Sequence, residues 1–94
     1  MDRKTRHALN ALTHTTPGRR RIIHRAATRY LAAEPTDYYA RRRAYIWHGG
    51  DTLIRMLGLG GDPFDPLLPD IARTVLDHLD TPVRQPHVPV ALAA

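Results

Sequence analysis

The 94-residue chain contains no cysteine, no serine, a single lysine, a single phenylalanine and a single tryptophan. Without cysteine there is no disulfide framework, no thiolate zinc site and no cysteine nucleophile. Without serine there is no Ser-His-Asp nucleophile, and the glycines at 58, 60 and 61 lead to Asp62-Pro63 rather than to the Lys-Ser or Lys-Thr that ends a phosphate-binding loop. No apolar run approaches the roughly 18 residues of a membrane span. The charged opening residues are followed by a stretch, residues 8–14, too short and polar for a signal-peptide core. These absences lead to the expectation of a cytoplasmic protein.

Strand signals are lacking too. No segment alternates apolar and polar residues with β-branched enrichment, and no internal repeat is visible. A chain of this length holds one small core, and an apolar fraction of 43% is enough for it.

Acidic residues are scarce in one half only. Residues 1–48 hold eleven basic side chains (Arg3, Lys4, Arg6, Arg19, Arg20, Arg21, Arg25, Arg29, Arg41, Arg42, Arg43) against Asp2, Glu34 and Asp37, a net of +8. Residues 49–94 hold Arg55, Arg73 and Arg84 against six aspartates, a net of −3. A basic half beside a mildly acidic half implies that the basic half meets an anion. Thirteen of the fourteen basic residues are arginine, whose planar fork matches phosphate and stacks on bases.

The helical pattern is readable along the chain. Residues 2–13 form a short helix with Ala8, Leu9 and Leu12 as its apolar stripe, and basic residues in its first turn favour fraying. Thr16 caps a second helix, with Pro17 at its first position, running to residue 33. Pro35 stops it. Thr36 then caps a third helix over residues 37–48, which Gly49 and Gly50 interrupt. Asp51 caps a restart over residues 52–57, ended by Gly58, Gly60 and Gly61. Residues 66–79 form the last helix, its apolar positions following the i, i+3, i+4, i+7 template. Pro82, Pro86 and Pro89 leave residues 81–94 as an extended tail. The chain therefore reads as all-α, a compact bundle of four or five short helices over residues 1–80 with a proline-rich C-terminal tail. The expected core is Leu9, Leu12, Ile22, Ile23, Ala26, Tyr30, Tyr39, Ile46, Leu53, Leu57, Leu68, Ile71, Val75 and Leu79.

Two clusters carry the chemistry. Arg19, Arg20 and Arg21 stand just inside the start of the second helix, where the unpaired N–H groups already make the terminus positive. That arrangement becomes favourable around a phosphate, although most such runs are simply solvated. In the second cluster, Arg41, Arg42 and Arg43 are interleaved with Tyr38, Tyr39, Tyr45 and Trp47. With Arg25 and Arg29 they suit a groove on duplex DNA or an arginine–aromatic platform for single strands. A helix-turn-helix reading puts Arg41, Arg42 and Tyr38 on the bases, but the joint at residues 34–36 holds a proline and lacks the usual glycine.

The histidines are poorly spaced for metal: His7 and His14 lie two turns apart, about 10 Å. No metal, cofactor or enzymatic activity is expected. The leading expectation is a small non-enzymatic nucleic-acid-binding protein, for DNA or RNA, that grips phosphates with Arg19, Arg20, Arg21, Arg25, Arg29, Arg41, Arg42 and Arg43, with Tyr38 and Trp47 beside them. The alternative is a protein-interaction module, an adaptor, assembly subunit or inhibitor, that docks the basic face on an acidic partner with the apolar tail as an anchor. The charge split also permits self-association.

Overall fold

The computed structural model describes residues 2–81, which fold into five helices with no strand among the described residues. In order these are α1 (Arg3–Leu12), α2 (Pro17–Ala32), α3 (Tyr38–Trp47), α4 (Gly50–Leu57) and α5 (Leu68–Asp80). The expected all-α bundle is what the chain forms. The expected tail, residues 81–94, lies outside the described residues from residue 82 on. None of the described helices is long and apolar enough to cross a membrane.

Helix α2 is the hub. It packs along α5 and α4 and touches α3, while α1 lies across α5 and α4. Tyr30, Leu12, Ile23, Leu53, Leu57, Ile71 and Val75 are the largest fully buried side chains. Burying each aliphatic one contributes about 1.5–3 kcal/mol relative to leaving it in water. Alanines fill the narrow gaps: Ala8 on α1, Ala26 and Ala27 on α2, Ala44 on α3 and Ala72 on α5 all lie in the core.

Local chemistry sets the helix ends. The Asp2 side chain caps α1, accepting from the Thr5 N–H at 3.0 Å and from the Thr5 hydroxyl. These bonds hold the Asp2 carboxyl below the usual carboxylate range. They also place a negative charge at an end crowded with arginine and lysine. Thr16 caps α2 as expected, accepting from Arg19 N–H at 3.2 Å.

Two expected caps are displaced. Asp37 rather than Thr36 caps α3, accepting from Ala40 N–H at 2.8 Å. Helix α4 starts at Gly50 without a side-chain cap, because Gly49 turns into it in a left-handed conformation (φ 86°). The chain reverses there so closely that a Cβ on Gly49 would lie 2.8 Å from Ala26 O. Only glycine fits both the angle and the space.

The core expectation needs three corrections. Ile22, Tyr39 and Ile46 are exposed, not buried, at 45%, 67% and 48% of their full accessibility. On α3 the inward side belongs to Ala40 and Ala44 instead. The α3–α4 junction is pressed against α2, and a Cβ on Gly50 would meet Tyr45 Cα at 2.6 Å and Tyr30 Cδ1 at 3.0 Å. At that separation small side chains pack and large ones are turned outward. Leu9 and Leu79 are partly buried against the core.

Candidate nucleic-acid interface

Three ion pairs form among the described residues, Lys4–Asp65, Arg55–Asp51 and Arg73–Asp70, and His24 Nε2 lies 2.6 Å from Asp80 Oδ1. Four of the six aspartates of the second half are thus held by their own helices, by Lys4 or by His24. Lys4 and a backbone N–H of Leu67 hold the Asp65 carboxyl below its ordinary range. Of the eleven basic side chains in residues 1–48, ten have no carboxylate within 4.0 Å among the described residues. Folding does not neutralise the basic half.

The arginines nevertheless divide into two groups. Arg20 donates from Nη1 to Leu12 O at 2.8 Å, closing the C-terminal end of α1. Arg29 donates from Nη2 to Trp47 O at 3.1 Å, at the C-terminal end of α3. A cation on terminal carbonyls satisfies groups that have no partner within their own helix and suits the dipole there. Arg41 is half-buried and donates from Nε to Phe64 O at 2.9 Å. Arg19 points Nη2 at Met56 Sδ, 3.6 Å away. These four are engaged with the fold.

Arg21, Arg25, Arg42 and Arg43 are exposed and donate to no protein atom among the described residues. Arg19, Arg20 and Arg21 therefore share a helix start but not a direction, as successive 100° steps require. Arg21 lies instead with Arg25 and Arg29, spaced i, i+4, i+8 along α2. The three form a ridge with about 6 Å between successive backbone positions along the axis. The ridge ends where Arg29 bonds the last residue of α3.

The aromatic residues divide in the same way. Phe64 receives the edges of Tyr38 and Tyr45, with ring centroids 5.7 and 5.6 Å apart and planes near perpendicular. That cluster ties one side of α3 to the loop before α5, and the Arg41 bond to Phe64 O strengthens the tie. Tyr38 stays half-exposed, with its ring against Tyr39 at 5.5 Å. Trp47 is 69% exposed.

The open side of α3 thus carries Tyr39, Arg42, Arg43, Ile46 and Trp47. Tyr39 and Ile46, expected in the core because they share a helical stripe with Leu53 and Leu57, are the members sequence reasoning missed. The signal that identifies them is Ala40 and Ala44 at i, i+4, which marks a close-packed inner face and so places the large residues outside.

A concavity of about 580 Å³ lies between the end of α2 and the start of α5. It holds Arg41 and Arg73 but also Glu34 and Asp70, and its charge is mixed. Among the described residues no three His, Asp or Glu side chains gather closely enough to hold a metal ion. No protein-family model, curated protein or solved structure matches this chain.

Proposed function

We propose that this chain is a small non-enzymatic nucleic-acid-binding protein that grips phosphates through the arginine face of α2 and α3. The observation that carries the reading is the absence of carboxylate partners around ten of the eleven basic side chains in the first half, among the described residues. Unpaired guanidinium groups on one face repel each other, and a polyanion relieves that repulsion while releasing its own counterions. Arg21, Arg25, Arg42 and Arg43 are the free phosphate-binding groups. Arg20, Arg29 and Arg41 add to the positive field while fastening the helices that present it.

The test is fluorescence anisotropy of labelled duplex DNA, single-stranded DNA and RNA at low and at physiological salt. Binding with a log–log salt slope of several ions supports the phosphate grip. Replacing Arg21, Arg25, Arg42 and Arg43 with alanine flattens that slope, by about one for each phosphate no longer neutralised. No binding at physiological salt overturns the reading.

One observation favours a second reading, docking on an acidic protein. Tyr39, Ile46 and Trp47 expose apolar surface beside the arginines, and a protein interface uses such aromatic anchors with a charged rim. Capture of an acidic partner that survives high salt, and is lost when residues 81–94 are deleted, supports it. Capture that is unchanged by the deletion removes the tail from the account.

A further inference from the structure

We infer that the outer face of α3 is a stacking platform for single-stranded nucleic acid, with Tyr39 and Trp47 taking bases and Arg43 the backbone between them. The inference rests on the nucleic-acid reading above and names its ligand class. Tyr39, Arg43 and Trp47 are spaced i, i+4, i+8, so they stand on successive turns of α3 about 6 Å apart along the axis. Arg42 and Ile46 form a second i, i+4 row beside them.

The orientation of this face is the reverse of an ordinary amphipathic helix. Helix α3 turns Ala40 and Ala44 inward and leaves a tyrosine and a tryptophan about two-thirds exposed. A chain with only six aromatic residues that leaves two of the largest in water has an unpartnered surface there.

Both aromatic positions are braced from beneath. Phe64 holds Tyr38 edge-on, and Tyr38 in turn abuts Tyr39, a three-ring chain from the loop to the surface. Arg29 pins the backbone of Trp47. A base that stacks on such a site meets a surface already ordered, which lowers the entropy cost of binding.

The choice of single strand follows from what the face offers. In a duplex the bases are stacked on one another and show only their edges, which proteins read with hydrogen-bonding side chains in the major groove. Aromatic faces suit bases whose own faces are open, and every base has one, so stacking of this kind tolerates any sequence. The ridge of Arg21, Arg25 and Arg29 leads to Trp47 and supplies a positive track for the remaining phosphates. An apolar protein partner, by contrast, has to strip water from Arg42 and Arg43 inside the patch.

Trp47 is the sole tryptophan, so the chain carries its own probe at the site. The full chain is titrated at physiological salt with a labelled oligothymidylate, which forms no structure of its own, and with a duplex of equal phosphate number. Both oligonucleotide anisotropy and tryptophan emission are read.

The expected result is tighter binding of the single strand with quenching of Trp47. Trp47→Ala then weakens oligothymidylate binding by roughly five- to a hundredfold, Trp47→Phe keeps most of the affinity, and the helical circular dichroism of both variants is unchanged. Duplex binding as tight as single-strand binding, with Trp47 emission undisturbed, overturns the platform and leaves the phosphate grip standing. Binding of neither overturns both.

Discussion

The guanidinium of Arg29 donates to the carbonyl oxygen of Trp47 over 3.1 Å, joining the chain's longest helix to the last residue of α3. Arg25, one turn earlier on α2, has no such bond among the described residues. Two arginines four positions apart therefore do different work. Arg29→Ala is expected to cost about 1 kcal/mol, the value of an ordinary net hydrogen bond and less than a buried charge-assisted one, because this bond is exposed to solvent. That corresponds to a fall in melting temperature of roughly 4–8 °C for a domain of this size. Arg25→Ala should leave stability within about 0.5 kcal/mol and lower only the affinity for a polyanion. Thermal melts beside salt-dependent binding separate the two. Equal melts for both variants would show that the carbonyl bond contributes nothing.

The α3–α4 corner depends on Gly49. With φ at 86° and a Cβ position 2.8 Å from Ala26 O and 3.1 Å from Ala26 Cα, any side chain meets backbone that cannot move aside. Gly49→Ala combines a left-handed penalty with overpacking, and is expected to destabilise by about 2 kcal/mol or more. Gly18, in the first turn of α2, is the control, since a Cβ there meets nothing within 4 Å. Gly18→Ala should stabilise by about 0.5–1 kcal/mol by reducing the freedom of the unfolded chain. Urea denaturation of both variants reads opposite signs.

Glu34 holds φ at 51°, the one non-glycine positive φ among the described residues, immediately before Pro35. Its N–H bonds Leu31 O at 3.0 Å, and its own carbonyl accepts from Thr36 N–H at 2.8 Å, so the turn is held despite the strain. Relief of about 1–2 kcal/mol of left-handed strain outweighs the entropy glycine adds to the unfolded state. Glu34→Gly is thus expected to raise stability by up to about 1 kcal/mol, measured as a shift in the urea midpoint. A lower midpoint would show that the Glu34 side chain itself holds the turn.

Much of this architecture is legible in the sequence, and the places where it is not share a cause. Helices α2 and α5 follow from periodic apolar residues and from Thr16 and Pro17, all local signals. Their core residues Ile23, Tyr30, Ile71 and Val75 follow with them. Tyr39 and Ile46 do not, because apolar size points inward only when the neighbouring helix stands off far enough to admit it. How close α3 comes to α2 is set by Gly49 and Ala26, twenty-three positions apart in sequence.

The candidate site is partly legible for the same reason. The charge split identifies a basic half, and it survives folding because, of its eleven arginine and lysine side chains, only Lys4 pairs with a carboxylate among the described residues. Which arginines are free is a tertiary fact. Arg20, Arg29 and Arg41 are engaged by carbonyls 8, 18 and 23 residues away, and no local pattern reports such bonds.

Tyr30 gives the fold an alkaline limit. Its ring is fully buried, packed from α2 against the α3–α4 corner, and its hydroxyl has no hydrogen-bond partner among the described residues. Burial pushes the Tyr30 phenol from its ordinary 10 up to about 12, with the guanidinium groups of Arg41 and Arg73 opposing the shift. The folded chain then keeps a proton that the unfolded chain loses near pH 10. Stability is unaffected below about pH 10 and falls as pH rises from there through about 12, because the unfolded state binds fewer protons in that window. At about 1.4 kcal/mol per unit, two units amount to roughly 2–3 kcal/mol. Urea denaturation at about pH 9 and about pH 11.5 should register most of that loss. Tyr30→Phe removes the titrating group, so its stability should change far less between the two conditions. At neutral pH it should gain about 1 kcal/mol, since an unpaired buried hydroxyl is replaced by hydrogen. An alkaline loss in Tyr30→Phe as large as in the native chain would place the limit on another group.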